Sequence, residues 1–443
     1  MDRRKFLGVA GISAVGLSAG ELRARDLAGT RIVTPGTQLD GAPAVHTGGA
    51  PDILIIGAGV FGMFTAHYLR ERGYDCMVVD QHGPGNSRAT SGGETRGVRT
   101  SYGDRPHGKE WARWAKMSIE RWKEWDARYT GTESPLFYTT GDIILREEEE
   151  PYLDRTVSQW DELEIPYEAL SIDEVNRRWP VIGTEGMTQA LYEPGAGVVR
   201  ARPAIQSAAT QYRGNGGEFV TARVTLGPIE NGRLTGVVTD AGETLTAGSY
   251  VFACGPWLPK VFPELMGMRI RPRTLGHVFY FGTPPGDHGY EFPNLPSYGV
   301  PGGTGWPALP PDFRGFRART GGHSHEDPDT SDRRVDEDGF TRGAEFVAKY
   351  FPALANQPVL ETRACHYESS VTRNFIVDHH PDLENVWITG GGSAEAFKQG
   401  PVLGDYIAHR LVGEDIDPVM TEGFKITDEV FEPDEGNNFD PDR

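Results

Sequence analysis

Four consecutive apolar residues, Ile53–Ile56, open the most strongly patterned stretch of the chain, which runs to Asp80. A run that is apolar at every position predicts a parallel strand buried on both faces. Helix-forming residues then continue to Leu69, and Gly73 supplies a C-terminal stop. Cys76-Met-Val-Val79 predicts a second buried strand, closed by Asp80. Further on, Lys109–Tyr129 reads as an amphipathic helix whose Trp111, Trp114, Trp122 and Trp125 form a stripe suited to core. From Leu136 the pattern turns to strands, at Phe137–Gly141 and Ile143–Leu145, before a charged run, Arg146–Glu150, suited to a solvated turn. Helices are predicted over Tyr152–Leu163, Asp173–Trp179 and about Pro203–Gly214. Strand patterns recur at Phe219–Val224, Thr235–Thr239, Ser249–Ala253, His277–Phe281 and Asn385–Thr389, and Val402–Leu411 closes with a helix.

Between the first strand and helix, Gly57, Gly59 and Gly62 stand in G-x-G-x-x-G spacing. Each has a mechanical reason: a tight turn, close backbone approach to a pyrophosphate, and close helix-on-sheet packing. The helix N-terminus offers unpaired N–H groups to phosphate, and Asp80 can bind a ribose hydroxyl. Strand, glycines, helix, strand and terminal acid together predict an adenine dinucleotide, with NAD and FAD both open.

The formal charge of −19 on 443 residues argues against nucleic-acid binding, which needs a basic surface. Cys76, Cys254 and Cys365 lie far apart, in no metal spacing and no disulfide framework. Cys76 and Cys254 sit in apolar strand patterns and are expected to be buried. At the start, Arg3 and Arg4 precede Phe6, Leu7 and a short glycine-rich run to Gly20, too short for a stable membrane span. This resembles a twin-arginine export signal over residues 1–25, with a linker over 26–50, and implies export (periplasmic or secreted) of a folded protein by the twin-arginine machinery.

Other stretches invite close backbone approach. Asn86–Asp104, with small residues and the arginines Arg88, Arg96 and Arg99, suggests a loop over the cofactor. A helical turn there would put Arg96 and Arg99 on one side, and equally they could be surface charges. Cys254-Gly-Pro-Trp257 follows a strand, and Gly390-Gly-Gly392 follows another. Pro301–Pro311 is irregular and suited either to a pocket wall or to a solvent-facing loop. The last hundred residues return to the nucleotide-binding pattern, so the fold is expected to be discontinuous, and the acidic tail, 416–443, to be extended on the surface from Glu422 to Arg443.

With these motifs on the page, the chain from about Asp52 to Gly413 resembles the FAD-dependent D-amino acid oxidase superfamily, and within it the sarcosine oxidase or N-methyl amino acid oxidase branch. The resemblance rests on Gly57–Gly62 with Asp80, Gly92-Gly-Glu-Thr-Arg-Gly-Val-Arg99 with Tyr102-Gly103, and Asn176-Arg-Arg-Trp-Pro180. Glu193-Pro-Gly-Ala-Gly-Val198, Cys254–Trp257, Cys365-His-Tyr367 with Phe375–Asp378, and Ala396-Phe-Lys398 complete it. It implies FAD, held covalently by a thioether from Cys365, where the bland alternative is a buried thiol. It implies that Arg99 and Lys398 hold a substrate carboxylate, that Tyr367 lines the substrate pocket, and that Arg96 sits by the flavin. Cofactor contacts are expected from Arg88, Ser91, Thr95, Val224, Gly255, Gly391, Gly392 and Lys398 besides the fingerprint. Three departures matter. Arg317 stands where the family has an oxygen-activating lysine, Ser91 and Gly92 replace histidines, and Glu368 replaces a small or neutral residue. Glu368 is expected as a surface carboxylate, or else as a group that recognises a basic substrate.

The implied architecture is α/β: a discontinuous Rossmann-like FAD-binding domain (51–135, 193–265, 360–415) with a second, α+β substrate domain on an antiparallel sheet (136–192, 266–359). The implied function is FAD-dependent oxidation of the C–N bond of an amino acid or N-alkyl amino acid to an imine, with a small amine or amino acid as substrate partner, O2 reduced to hydrogen peroxide, and Arg96, Arg317 and Lys398 as catalytic residues. The alternatives are a dehydrogenase that uses another electron acceptor and a non-catalytic FAD-binding protein.

Overall fold

A computed structural model describes residues 50–322 and 327–432; the twin-arginine stretch and linker lie outside the described residues. Ile53–Ile56 forms the central strand of a six-stranded sheet, fully buried and paired in parallel with Cys76–Asp80 on one side and Ser249–Phe252 on the other. Val386–Gly390 and Glu218–Thr221 extend the parallel order, and Ile376–His379 closes one edge antiparallel. Strands with apolar residues on both faces need cover on both. The helices Val60–Glu71, Ala201–Gly214 and Gly400–Leu411 bury their apolar residues in one core with the sheet.

Gly108–Trp125 adds a further layer to this core. Its four tryptophans are at most 3% exposed, each burial worth on the order of 3 kcal/mol of transfer free energy. Phe64 receives Trp122 and Trp125 edge-on, at 5.5 and 5.2 Å between ring centroids. That stripe is core, as its spacing predicts.

The second large sheet has eight strands, most pairs antiparallel, built around two twelve-residue partners, Ile270–Phe281 and Val359–Ser370. Phe316–Gly321, Gly303–Trp306 and Ser297–Val300 follow in order, then Asp142–Arg146 and Gln189–Glu193. A small sheet of Thr95–Val98, Gly197–Arg200 and Phe137–Tyr138 stands beside them.

Four local expectations are corrected. Thr95–Val98 is a strand, so Arg96 and Arg99 share no helical turn. Pro301–Pro311 contains the buried strand Gly303–Trp306, because its glycines let it pack between neighbours. Val359–Ser370, grouped by sequence with the FAD-binding segments, pairs along its length with Ile270–Phe281. The stretch from Glu422 is not extended at its start: the helix Pro418–Gly423 takes in Glu422 and Gly423, and Phe424 is buried against Trp114, Phe375 and Tyr406. Among the described residues no helix is long and apolar enough to cross a membrane.

Candidate active site

Two cavities meet at one place. The first, of about 580 Å³, begins at the carboxyl end of the central strand. Gly57 turns the chain there at φ +114°, where a Cβ would stand 2.3 Å from the Ala253 carbonyl oxygen. A Cβ at Gly62 would stand 1.9 Å from the Gly57 oxygen, so the helix can approach the strand only with glycine there. The Val60 N–H at the helix start donates to Ser91 Oγ at 3.0 Å. Asp80 closes the neighbouring strand; its carboxylate accepts from Ala58 N at 2.8 Å and from His82 and Gly83 N at 2.7 Å. Oδ2, which accepts only from Ala58 N, keeps capacity for a ribose hydroxyl. A bare glycine turn, a helix N-terminus whose Val60 N–H is held by Ser91 and an anchored carboxylate on one cavity fit an adenine dinucleotide.

Gly59, Ser91, Arg96, Val224, Gly255, Cys365 and Gly392 also line this cavity. Gly62 packs behind it. Arg88, Thr95, Gly391 and Lys398 do not line it: Arg88 is exposed and donates to the Asp329 carbonyl, and Thr95 Oγ1 accepts from Trp306 Nε1. Tyr367, expected in the substrate pocket, faces this first cavity, as does Cys365 two residues before it on the same strand. Glu368 is not a surface carboxylate. It is 4% exposed, accepts from Gly392 N at 3.0 Å, and burial pushes its acid up to about 7. The strand Val359–Ser370 is buried on both faces over its last seven residues, so alternation offers Glu368 no solvent side.

The second cavity, of about 890 Å³, lies between the small sheet and the eight-stranded sheet. Arg99 lines it just beyond the strand that carries Arg96. Burial opposes its charge, but Asp142, Tyr152 and Glu395 outweigh burial and hold the guanidinium above its ordinary range. Its guanidinium makes no hydrogen bond or ion pair within 4 Å among the described residues. Lys398, 7% exposed, pairs with Glu395 at 2.6 Å and lies 4.9 Å from the Tyr102 ring centroid. Burial would raise the Glu395 acid, yet Lys398 and Arg105 hold it far below the usual carboxylate range. The Tyr102 hydroxyl donates to the same carboxylate at 2.7 Å. Neither Glu395 nor Arg105 was expected from sequence, although Glu395 stands three residues before Lys398, the spacing of an intrahelical pair.

Arg96, Cys365 and Phe397 line both cavities and so mark the junction. Arg96 donates to the Thr95 and Thr90 carbonyls and places Nη2 3.7 Å from Cys365 Sγ. Burial alone would push the Cys365 thiol up, but Arg96, Arg363, Arg317 and Arg319 outweigh it and hold the thiol below its ordinary value. The other two cysteines lack such company and are pushed by burial to about 12. Of the three thiols, Cys365 is the one whose surroundings favour the thiolate. Arg317 is buried in the second cavity, its guanidinium 3.8 Å from the Trp306 ring centroid.

The model of a family described as FAD dependent oxidoreductase matches residues 52–410. Monomeric sarcosine oxidase of Arthrobacter sp. strain TE1826 is 26% identical over 380 residues, 82% of this chain and 92% of that protein. N-methyl-L-tryptophan oxidase of Salmonella gallinarum is 26% identical over 390 residues, 85% of this chain and 97% of that protein. Among solved structures, L-proline dehydrogenase from P. horikoshii superposes with a TM-score of 0.72 at 21% identity, over 85% of this chain and 99% of that one, a likeness of fold.

Proposed function

Because this chain belongs to the FAD-dependent oxidoreductase family, we propose that it oxidises the C–N bond of an amino acid or N-alkyl amino acid where its two cavities meet. The observation that carries this is the pair of cations, Arg99 with no hydrogen bond or ion pair among the described residues and Lys398 held by Glu395, lining a cavity that opens on Arg96 and Cys365. FAD, when bound, supplies the electron acceptor for the carbon beside the amine. Arg99 and Lys398 hold the substrate carboxylate by charge-assisted hydrogen bonds, which fixes that carbon at the junction. Burial lowers the Lys398 ammonium from its ordinary value, Glu395 opposes that and aims it, and Tyr102 and Arg105 fix Glu395 in turn. Arg96 places positive charge beside the junction. No side-chain base is assigned. The sarcosine oxidase and N-methyl-L-tryptophan oxidase relatives support this substrate class.

Cys365 is the attachment point for the flavin in this reading, supported by its lowered thiol pKa among four arginines. Acid precipitation of the yellow protein should carry the colour into the pellet, and Cys365→Ala should release it to the supernatant. Anaerobic addition of N-methyl amino acids should bleach the flavin; a full panel without bleaching sinks the proposal. A dehydrogenase is favoured by one observation, the bulky Arg317 packed on Trp306 where the resemblance to the sarcosine oxidase branch implies a lysine. Peroxide released in air during turnover decides for the oxidase, and bleaching without reoxidation by air for the dehydrogenase.

A further inference from the structure

The second cavity holds more positive charge than one carboxylate needs. Nine arginine and lysine side chains line it against five carboxylates, in a chain whose formal charge is −19. Several are already engaged: Arg105 with Glu395, Arg373 with Asp104, and Arg146 with Glu150. Arg317 is different. It is 4% exposed, its Nη1 has no hydrogen-bond partner, and no ion pair within 4 Å serves it among the described residues. A buried guanidinium without an anion is costly, so the site is built for one to arrive.

The strand geometry says where that anion would sit. Arg317 and Arg319 are two apart on Phe316–Gly321, so both face the cavity while Ala318 between them packs into the core. Their cross-strand partners are Trp306 and Thr304. Trp306 holds the Arg317 guanidinium over its ring, and Thr304 Oγ1 accepts from Arg319 Nε at 3.2 Å. A guanidinium stacked on an indole keeps its fork edge free for a carboxylate. Arg317 lines the second cavity and not the dinucleotide cavity, so the anion it awaits is not a cofactor phosphate. Trp306 also approaches Gly97, as does Arg99 Nη1, at 3.4 and 3.8 Å from where a Gly97 Cβ would stand. Trp306 therefore carries Arg317 on its face, while its edge and the Arg99 guanidinium both border Gly97, so the two cations stand around one cavity wall.

We infer that the substrate is a dianionic amine, an amino acid whose nitrogen substituent or side chain carries a second carboxylate, with one carboxylate on Arg99 and Lys398 and the other on Arg317 and Arg319. This rests on the amine-oxidation proposal above and narrows its substrate class.

Two thioethers that cannot be oxidised at a C–N bond test it on the flavin-loaded protein: (methylthio)acetate, with one carboxylate, and thiodiacetate, with two. Binding is read from perturbation of the flavin spectrum. Thiodiacetate is expected to bind at least about tenfold more tightly, the effect of one additional charge-assisted pair. Turnover of iminodiacetate against sarcosine should show the same preference in kcat/KM. Arg317→Met should reduce the preference to under about threefold, and Arg317→Lys should keep part of it, because charge survives while the fork is lost. Equal binding of the two thioethers by the wild-type protein, or a preference untouched in Arg317→Met, overturns the second seat while leaving amine oxidation in place. Failure of both thioethers to bind, together with no bleaching by any amine, overturns amine oxidation and this inference with it.

Discussion

In the first cavity the backbone makes the site, whereas in the second the side chains do. Around the dinucleotide cavity the decisive features are a glycine at φ +114°, a helix N-terminus and one anchored carboxylate, drawn mostly from Gly57 to Ser91. Around the second cavity they are long cationic side chains from at least four separate segments, whose charge is supported by buried acids such as Asp142 and Glu395. The difference teaches that cofactor geometry is rigid and local, while substrate recognition is assembled late, from parts that each have another structural duty.

The largest effect should come from breaking the backbone site. Gly57→Val places a branched side chain where even a Cβ would meet the Ala253 carbonyl at 2.3 Å, at a φ that β-branched residues do not tolerate. The strand and helix cannot both keep their places. The expected outcome is protein purified without flavin absorbance, or insoluble protein. A yellow, soluble variant would show that the turn adapts, and the contrast drawn above would fail.

Arg99→Met should act on the second cavity alone. It keeps the stem and removes the charge, so the protein should remain yellow while kcat/KM for its amine substrate falls by about 10³-fold, roughly 4 kcal/mol of lost binding in the transition state. Flavin content and kcat/KM measured on the same preparation separate the two cavities. Loss of both together would mean that Arg99 also supports the cofactor site.

This division explains how much was legible in the sequence. Gly57, Gly59 and Asp80 could be read because the β-α-β unit keeps its parts within one short stretch, so spacing carries the geometry. Tyr367 and Glu368 were misplaced because a strand buried on both faces has no polar alternation to say which side a residue takes. Glu395 left a faint signal, an acid three residues before Lys398, but pairing depends on both being buried, which spacing alone does not tell. Arg319 stood two residues from Arg317 and drew no notice, since a shared strand face matters only once Trp306 and Thr304 are known to lie across it. Arg96 and Arg99 show the limit most plainly: spacing tested for a helix where the small sheet had imposed a strand.

The smallest effect concerns an acid behind Arg99. Glu193 is fully enclosed opposite Asp142 in register, and accepts from the Thr100 backbone N–H at 3.0 Å and its hydroxyl at 2.8 Å. Burial, with the Asp142 carboxylate adding to it, pushes the Glu193 acid from 4.5 to about 7 against the pull of Thr100 and Arg99. The native protein therefore binds this proton more tightly than the unfolded chain does. Its contribution to stability is full below about 4.5 and is lost as pH rises through about 7. Glu193→Gln cannot titrate, so its melting temperature relative to wild type should climb by a few degrees between pH 5 and 8, corresponding to about 3 kcal/mol at most. Melting curves of the two proteins across that range check it. A gap that stays constant with pH would mean that Glu193 holds one protonation state throughout, and that the charge on Arg99 is balanced by Asp142 and Glu395 without it.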